Sequence, residues 1–203
     1  MTSDLIIYSW DLTKFARTLP SLPQGFEWEE SDKLKDNTAG IIEKALLTDS
    51  SILSARKFFE GYLAAMKALF QLKEHSARLI TLTHGPRIIG ASVLQYAPNA
   101  SLHLFSGPCI LLEYRGRGLG SLLFQKSLTA LAERGIETAR GVCMSRSTLQ
   151  KYLYPKYEGT AEKNSKIADS LKISDSKSAK NPGKCTFLKK KSSQKKNTLE
   201  STV

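Results

Sequence analysis

The sequence is poor in the residues that announce a disulfide scaffold, a metal centre or a membrane span. It has three cysteines, Cys109, Cys143 and Cys185, and three histidines. An odd number of cysteines without metal-ligand spacing argues against a disulfide framework and against a structural zinc site. Cys109 and Cys143 stand in apolar runs, where a small buried thiol is the common role, and a reducing compartment is expected. No run approaches the roughly 20 apolar residues that cross a bilayer. The first residues, MTSDLIIYSWDLTKF, carry Asp4 where a secretory signal would carry positive charge, and their apolar run is short. The expectation is a cytoplasmic, soluble protein that uses no metal and touches no membrane. No internal repeat is present.

What is there is one core and a charge imbalance. A chain of 203 residues buries one substantial core, with appendages, rather than two full domains. Its hydrophobic share of 41% and charged share of 24% are ordinary. The formal charge of +11 is not. From Thr160 to Val203 there are 11 Lys against 4 acidic residues, a surplus of +7, so most of the excess lies at one end. A Lys/Ser-rich segment of this kind, with Phe187 as its one aromatic residue, reads as a mostly disordered tail suited to weak polyanion contact. The expected division is a folded domain over residues 1–159 and a tail over 160–203, with a possible closing strand at 184–190.

Within the domain, periodicity suggests the elements. GFEWEES, from Gly25 to Ser31, alternates Phe26 and Trp28 with Glu27 and Glu29, as a strand would. Residues 36–49 place Ile41, Ile42, Ala45 and Leu46 on one helical face, and from Ile52 to Phe70 apolar residues recur at spacings of three and four. Three strand signals follow: Ala77–His84, Arg87–Tyr96 and Ser101–Tyr114. Their short connections predict an antiparallel meander. Gly107 and Pro108 fall inside the third, which predicts a bulge or bend there. Leu119–Arg134 reads as a helix stopped by Gly135, and Ile136–Ser145 as a strand reached by a crossover, hence parallel to the one before the helix. Ser147–Tyr157 reads as a short helix interrupted by Pro155.

The junction between the third strand and that helix is RGRGLGS, residues 115–121. A helix N-terminus leaves N–H groups unpaired and carries roughly half a positive charge. Glycines at 116, 118 and 120 let a ligand approach the main chain, and Arg115 and Arg117 add cationic donors. A phosphate or pyrophosphate is one guest for such a place; the alternative is that the glycines merely make a tight turn. The P-loop pattern is not met, because no Lys follows the last Gly. The GxGxxG pattern is not met either, because its third glycine falls on Ser121.

Arg115, Gly118 and Gly120 fit the R/Q-x-x-G-x-G/A signature of the GNAT superfamily of N-acetyltransferases, and the order of elements from about Gly25 to Gly159 resembles that family. The resemblance implies a mixed α/β fold with a mostly antiparallel central sheet, helices on both faces and a splayed parallel strand pair. It implies acetyl-coenzyme A as co-substrate. Its pyrophosphate would sit on the amides of Arg115, Gly116, Arg117, Gly118, Leu119, Gly120 and Ser121, and its pantetheine arm would run beside Ile110 and Leu112. The resemblance also implies a Tyr acid on the last helix, best matched by Tyr154, with Tyr152 and Tyr157 as rivals. His103 is the base candidate, ahead of Glu113, because an imidazole near its usual pKa suits deprotonation of an ammonium. The acceptor would be an amine, on a small molecule, a protein N-terminus or a lysine.

The chain departs from the family pattern in three places. Leu112 replaces a frequent Pro, Thr160 replaces a frequent aromatic residue, and a Lys/Ser-rich segment stands where a closing hairpin should complete the acceptor wall. Two other functions compete with catalysis: a nucleic-acid or ribosome-associated module using Lys189, Lys190, Lys191, Lys195 and Lys196, and a degenerate member that binds coenzyme A without turnover.

Overall fold

The computed structural model describes residues 5–15, 18–19, 21–47, 56–71 and 76–162. Seven strands make one sheet: β1 (Leu5–Asp11), β2 (Phe26–Ser31), β3 (Ala77–His84), β4 (Arg87–Gln95), β5 (Leu104–Ile110), β6 (Thr138–Met144) and β7 (Thr160–Ala161). The helices are α1 (Asp36–Leu47), α2 (Arg56–Gln71), α3 (Leu119–Glu133) and the short α4 (Tyr154–Lys156), which continues a π-helical turn over Leu149–Leu153. The strand order is β2-β3-β4-β5-β6-β1-β7. Every neighbouring pair is antiparallel except β5 and β6, which are parallel as the crossover through α3 requires.

The central strands read as near-continuous apolar runs because both their faces are covered. On β3, Ile80 and Leu82 join the core under α3, whereas Ala77 and Leu79 join the one under α1 and α2. On β4, Ile89 and Leu94 face the first core and Ala91 and Val93 the second. Gly135, at φ 78, ends α3: its own N–H donates to Ala132 O and that of Ile136 to Leu131 O, which satisfies the last carbonyls.

The expected bulge is present, and it comes with a second. Between the pairs Ala91–Cys109 and Val93–Ser106, β5 advances three residues while β4 advances two, and one further residue is inserted before Leu94–Leu104. Each insertion bends β5 away from a flat sheet. It therefore meets β6 at a single residue pair, Leu104 with Gly141, and beyond it the strands part.

Two elements were not expected. Leu5–Asp11 pairs along its whole length with β6, from Leu5–Met144 to Asp11–Thr138. Its alternation was visible in the sequence, since Tyr8 and Trp10 enter the core under α3 while Ser9 does not. On its far side β1 pairs with Thr160 and Ala161, and the Glu162 N–H donates to Ile7 O. The position beside β6 is thus filled from the start of the chain. The expected closing strand at 184–190 lies outside the described residues.

Candidate active site

The turn after β5 is shaped by two left-handed residues. Ile110 ends the strand, a single 3-10 turn covers Leu112–Tyr114, and Gly116 and Gly118 then take φ values of 77 and 76, Gly118 capping α3. Only glycine adopts that conformation without strain. Gly120 differs: its φ is not positive, and a Cβ there would meet only Ile110 Cγ1, at an ordinary 3.7 Å. A tight turn accounts for Gly116 and Gly118 but leaves Gly120 without a reason, and a glycine inside a helix costs about 1 kcal/mol relative to alanine. The N–H groups of residues 116–120 donate to no described residue, so five consecutive donors stand at the positive end of a 15-residue helix.

Gly116, Gly118 and Gly120 of this turn border a cavity of about 410 Å³ that occupies the gap between the parted strands. Phe105 to Ile110 line it from β5 and Val142 to Met144 from β6, with Gly116, Gly118, Gly120 and Ser121 from the turn. Leu5 of β1, Ala45 and Leu46 of α1, Tyr62 of α2 and Leu149 of the π-helical turn also line it. The lining is mainly apolar, and among the described residues it includes the cations Arg115 and Lys156 and no carboxylate. Tyr62 stacks on Phe105 and donates to its carbonyl oxygen at 3.2 Å, which braces the bulged part of β5.

Tyr154 sits where the strands separate. Its side chain is fully buried against Tyr8, Trp10 and Phe124, and its hydroxyl points to Val142 O of β6 at 3.4 Å. On the other side stands Gly107 of β5, where a Cβ would lie 2.9 Å from the Tyr154 hydroxyl and 3.0 Å from Leu149 Cδ1. The glycine that seemed misplaced in a strand is therefore the space that the phenol needs. Burial, first of all, holds the Tyr154 pKa well above the ordinary 10, so the group keeps its proton at neutral pH. Of its rivals, Tyr152 is 61% exposed at the cavity mouth, and Tyr157 donates to Ser121 O at 3.0 Å, holding α4 against the start of α3.

Other expected residues stand elsewhere. His103 is not at this site. The strand starts at Leu104, not at Ser101, so His103 precedes it and lies at the end opposite the glycine-rich turn, roughly 20 Å away along seven strand residues. It is buried, and its Nδ1 accepts the Arg140 N–H at 3.3 Å. It borders a separate pocket with Pro98, Asn99 and Glu137. Leu112 lies in the 3-10 turn past the strand end, 60% exposed and off the cavity, whereas Ile110 lines it. Glu113 is ion-paired with Arg87 on the surface. Cys109 and Cys143 are buried on opposite walls, and burial raises their thiols to about 11 and about 12, so neither is a thiolate at neutral pH.

The sequence reading missed Leu5, Tyr62 and Lys156 as cavity residues. Only Lys156 had a local signal, two positions after Tyr154 on the same short helix. Among the described residues no cluster of three metal-ligating side chains occurs, and no helix is long and apolar enough to cross a membrane.

No family model matches the chain, and no curated protein matches it. Solved structures do. A Drosophila protein of known structure superposes with a TM-score of 0.56 at 15% identity, over 79% of this chain and 48% of its own. A GCN5-related N-acetyltransferase from Sphaerobacter thermophilus gives 0.54 at 18% identity, over 79% and 49%. A tandem GNAT protein from the clavulanic acid biosynthesis pathway gives 0.53 at 13%, over 77% and 50%. The chain spans about half the length of each of these structures. With its bulged β5, its parted parallel strands and its glycine-rich turn into α3, the chain has the GNAT N-acetyltransferase fold.

Proposed function

We propose that this protein is an N-acyltransferase that transfers an acetyl group from acetyl-coenzyme A to a primary amine. The observation that carries the reading is the row of amides at residues 116–120, which donate to no described residue and of which those of Gly116, Gly118 and Gly120 belong to residues lining the cavity between β5 and β6. Those amides are suited to a diphosphate, whereas the Arg115 and Ser121 N–H groups donate to Leu112 O and Gly118 O, and the pulled-apart edge of β5 around Ile110 is suited to an extended amide-bearing arm. Acetyl-coenzyme A supplies an activated acyl carbon and a thiol as leaving group.

The chain's own contribution is placement and a proton. The bulged strand offers main-chain groups along the gap, the apolar lining excludes water, and Tyr154 holds a proton at its hydroxyl between Gly107 and Val142. One feature supports acid chemistry at that hydroxyl: its position between Gly107 of β5 and Val142 of β6, two residues that line the cavity, although Tyr154 itself is buried beside it. The acceptor amine, on a small molecule, a protein N-terminus or a lysine, would reach the cavity past Leu5, Leu46 and Tyr152. On the same reading the protein works in the cytoplasm, with a catalytic domain that runs past the expected boundary at 159 to include β7 and Glu162, and the lysine-rich residues beyond as a tail making weak polyanion contacts.

Isothermal titration of the full chain with acetyl-coenzyme A tests the reading. Saturable heat at roughly micromolar to millimolar ligand, the ordinary range for enzyme substrates, is the expected result. Folded protein that takes up none at millimolar ligand rejects it.

A further inference from the structure

Three cationic side chains surround the amide turn, and the structure gives them different work. Arg115 is fastened to the protein: its Nε donates to Ile110 O at 2.9 Å and its guanidinium reaches Ala45 O at 2.6 Å, tying the turn to the end of β5 and to α1. Arg117 turns away, donating to Glu113 O at 3.2 Å and lying over the Tyr114 ring, 5.5 Å from its centroid. Lys156 arrives from α4. Its side chain lines the same cavity as Gly116, Gly118 and Gly120, and its Nζ donates to Ser121 Oγ, in the first turn of α3, at 3.0 Å. An ammonium has three donors, so one bond to a hydroxyl leaves two.

We propose that Lys156 is a cofactor-binding residue whose ammonium pairs with a phosphate group of coenzyme A seated on the residue 116–120 amides. This rests on the acyltransferase reading and names the cation that the two arginines of the motif were expected to supply. Ser121 orients it, since Ser121 Oγ also lies 3.0 Å from the Tyr157 hydroxyl. The contact joins two parts of the site, because Lys156 shares its helical turn with Tyr154. A phosphate held by Lys156 would fasten that turn against the start of α3.

Titration of the full chain with coenzyme A and with acetyl-pantetheine, which has no phosphate of the nucleotide end, separates the outcomes. Lys156→Met should bind coenzyme A about tenfold more weakly, as expected for a charge-assisted contact on a partly open surface, and Lys156→Arg should recover most of the loss. Arg117→Met should change affinity less than Lys156→Met, and acetyl-pantetheine should bind wild type and Lys156→Met alike. Unchanged coenzyme A affinity in Lys156→Met overturns the inference and leaves the acyltransferase reading standing. So does an equal loss for acetyl-pantetheine, which would make Lys156 a support for α4, or an equal loss in Arg117→Met, which would make the effect one of general charge. Wild-type protein that binds no coenzyme A removes both.

Discussion

The sheet has two halves that are built differently and meet at one residue pair. In the β2-β3-β4-β5 half, β3, β4 and β5 are chain neighbours joined by short connections, and β2 closes onto β3 from Phe26–His84 to Ser31–Leu79. In the β6-β1-β7 half, residues 5–11 are held between residues 138–144 and 160–161, so every pairing is long-range. Leu104 with Gly141 is the seam. On one side of it His103 donates its N–H to Arg140 O at 2.8 Å and accepts the Arg140 N–H on its imidazole, so that end is stitched shut. On the other side the strands part around the cavity and the Tyr154 hydroxyl. The difference teaches that the candidate site belongs to neither half: it is the gap that two independently braced halves leave between them.

The comparison breaks most readily at Trp10. Its indole packs 4.8 Å from the Tyr154 ring and 5.3 Å from that of Phe124, and a Cβ on Gly159 would lie 2.7 Å from Trp10 Nε1, so this side chain, with Tyr8 beside it, binds β1 to α3 and α4. Trp10→Ala should cost about 4 kcal/mol, in the range of large-to-small substitutions at aromatic core sites. Chemical denaturation measures it. A loss below about 1 kcal/mol, the size of an ordinary surface change, would mean that the β1 half does not depend on this cluster.

Next in size is Tyr154→Phe, which keeps the ring packing and removes the proton. The expected loss is about a hundredfold in kcat with coenzyme A affinity unchanged, the low end for general acid catalysis. Stability should hardly move, since among the described residues the hydroxyl's hydrogen-bond partner is Val142 O, at a long 3.4 Å. An unaltered kcat would assign Tyr154 to packing alone. Gly107→Ala addresses the same contact from the β5 side, and its added methyl, 2.9 Å from the hydroxyl, should cost about 1–2 kcal/mol through overpacking. Combined with Tyr154→Phe, part of that cost should be relieved, because the nearer of the two clashing atoms is gone while Leu149 Cδ1 remains at 3.0 Å. A double-mutant cycle reads the coupling, and strictly additive changes would show that the two residues do not compete for space.

How legible these halves were follows from the same distinction. The meander, α3 and its glycine stop were readable because period-two and period-3.6 patterns and turn residues are local signals. The bulge was readable from Gly107 and Pro108, although the reason for the glycine, the Tyr154 hydroxyl, comes from 47 positions further on. β1 was not readable with any force: LIIYSWD shows alternation, but nothing near it in sequence indicates that its partner is Thr138–Met144. The place beside β6 is taken by β1, and the expected closing strand at 184–190 lies outside the described residues. His103 stands at the start of β5 under either strand boundary, and what its sequence position did not show is that the cavity opens at the other end of that strand. Lys156 stayed invisible because its role depends on α4 docking on α3, which no spacing encodes.

The smallest expected effect concerns the stitched end of the seam. Burial, and then the charge of Arg140, lowers the His103 pKa below its usual 6.5, so the folded protein favours the neutral ring, and the Nδ1 bond to the Arg140 N–H requires it. Below pH 6.5 the unfolded chain binds a proton at His103 that the folded chain resists, which makes stability fall as pH falls from 6.5 towards the lowered folded value. Above pH 6.5 the ring is neutral in both states and contributes no slope. His103→Gln, whose amide oxygen can accept the same N–H, should remove this part of the dependence and leave the carboxylates to set the rest. The measurement is the difference between wild type and His103→Gln in denaturation free energy from pH 7.5 to pH 5. If the two curves stay parallel, the imidazole is not what closes that end of the seam. If they converge at low pH while acyl transfer at pH 7.5 is unchanged, His103 is a fastening between the halves and has no part in the chemistry at the other end of β5.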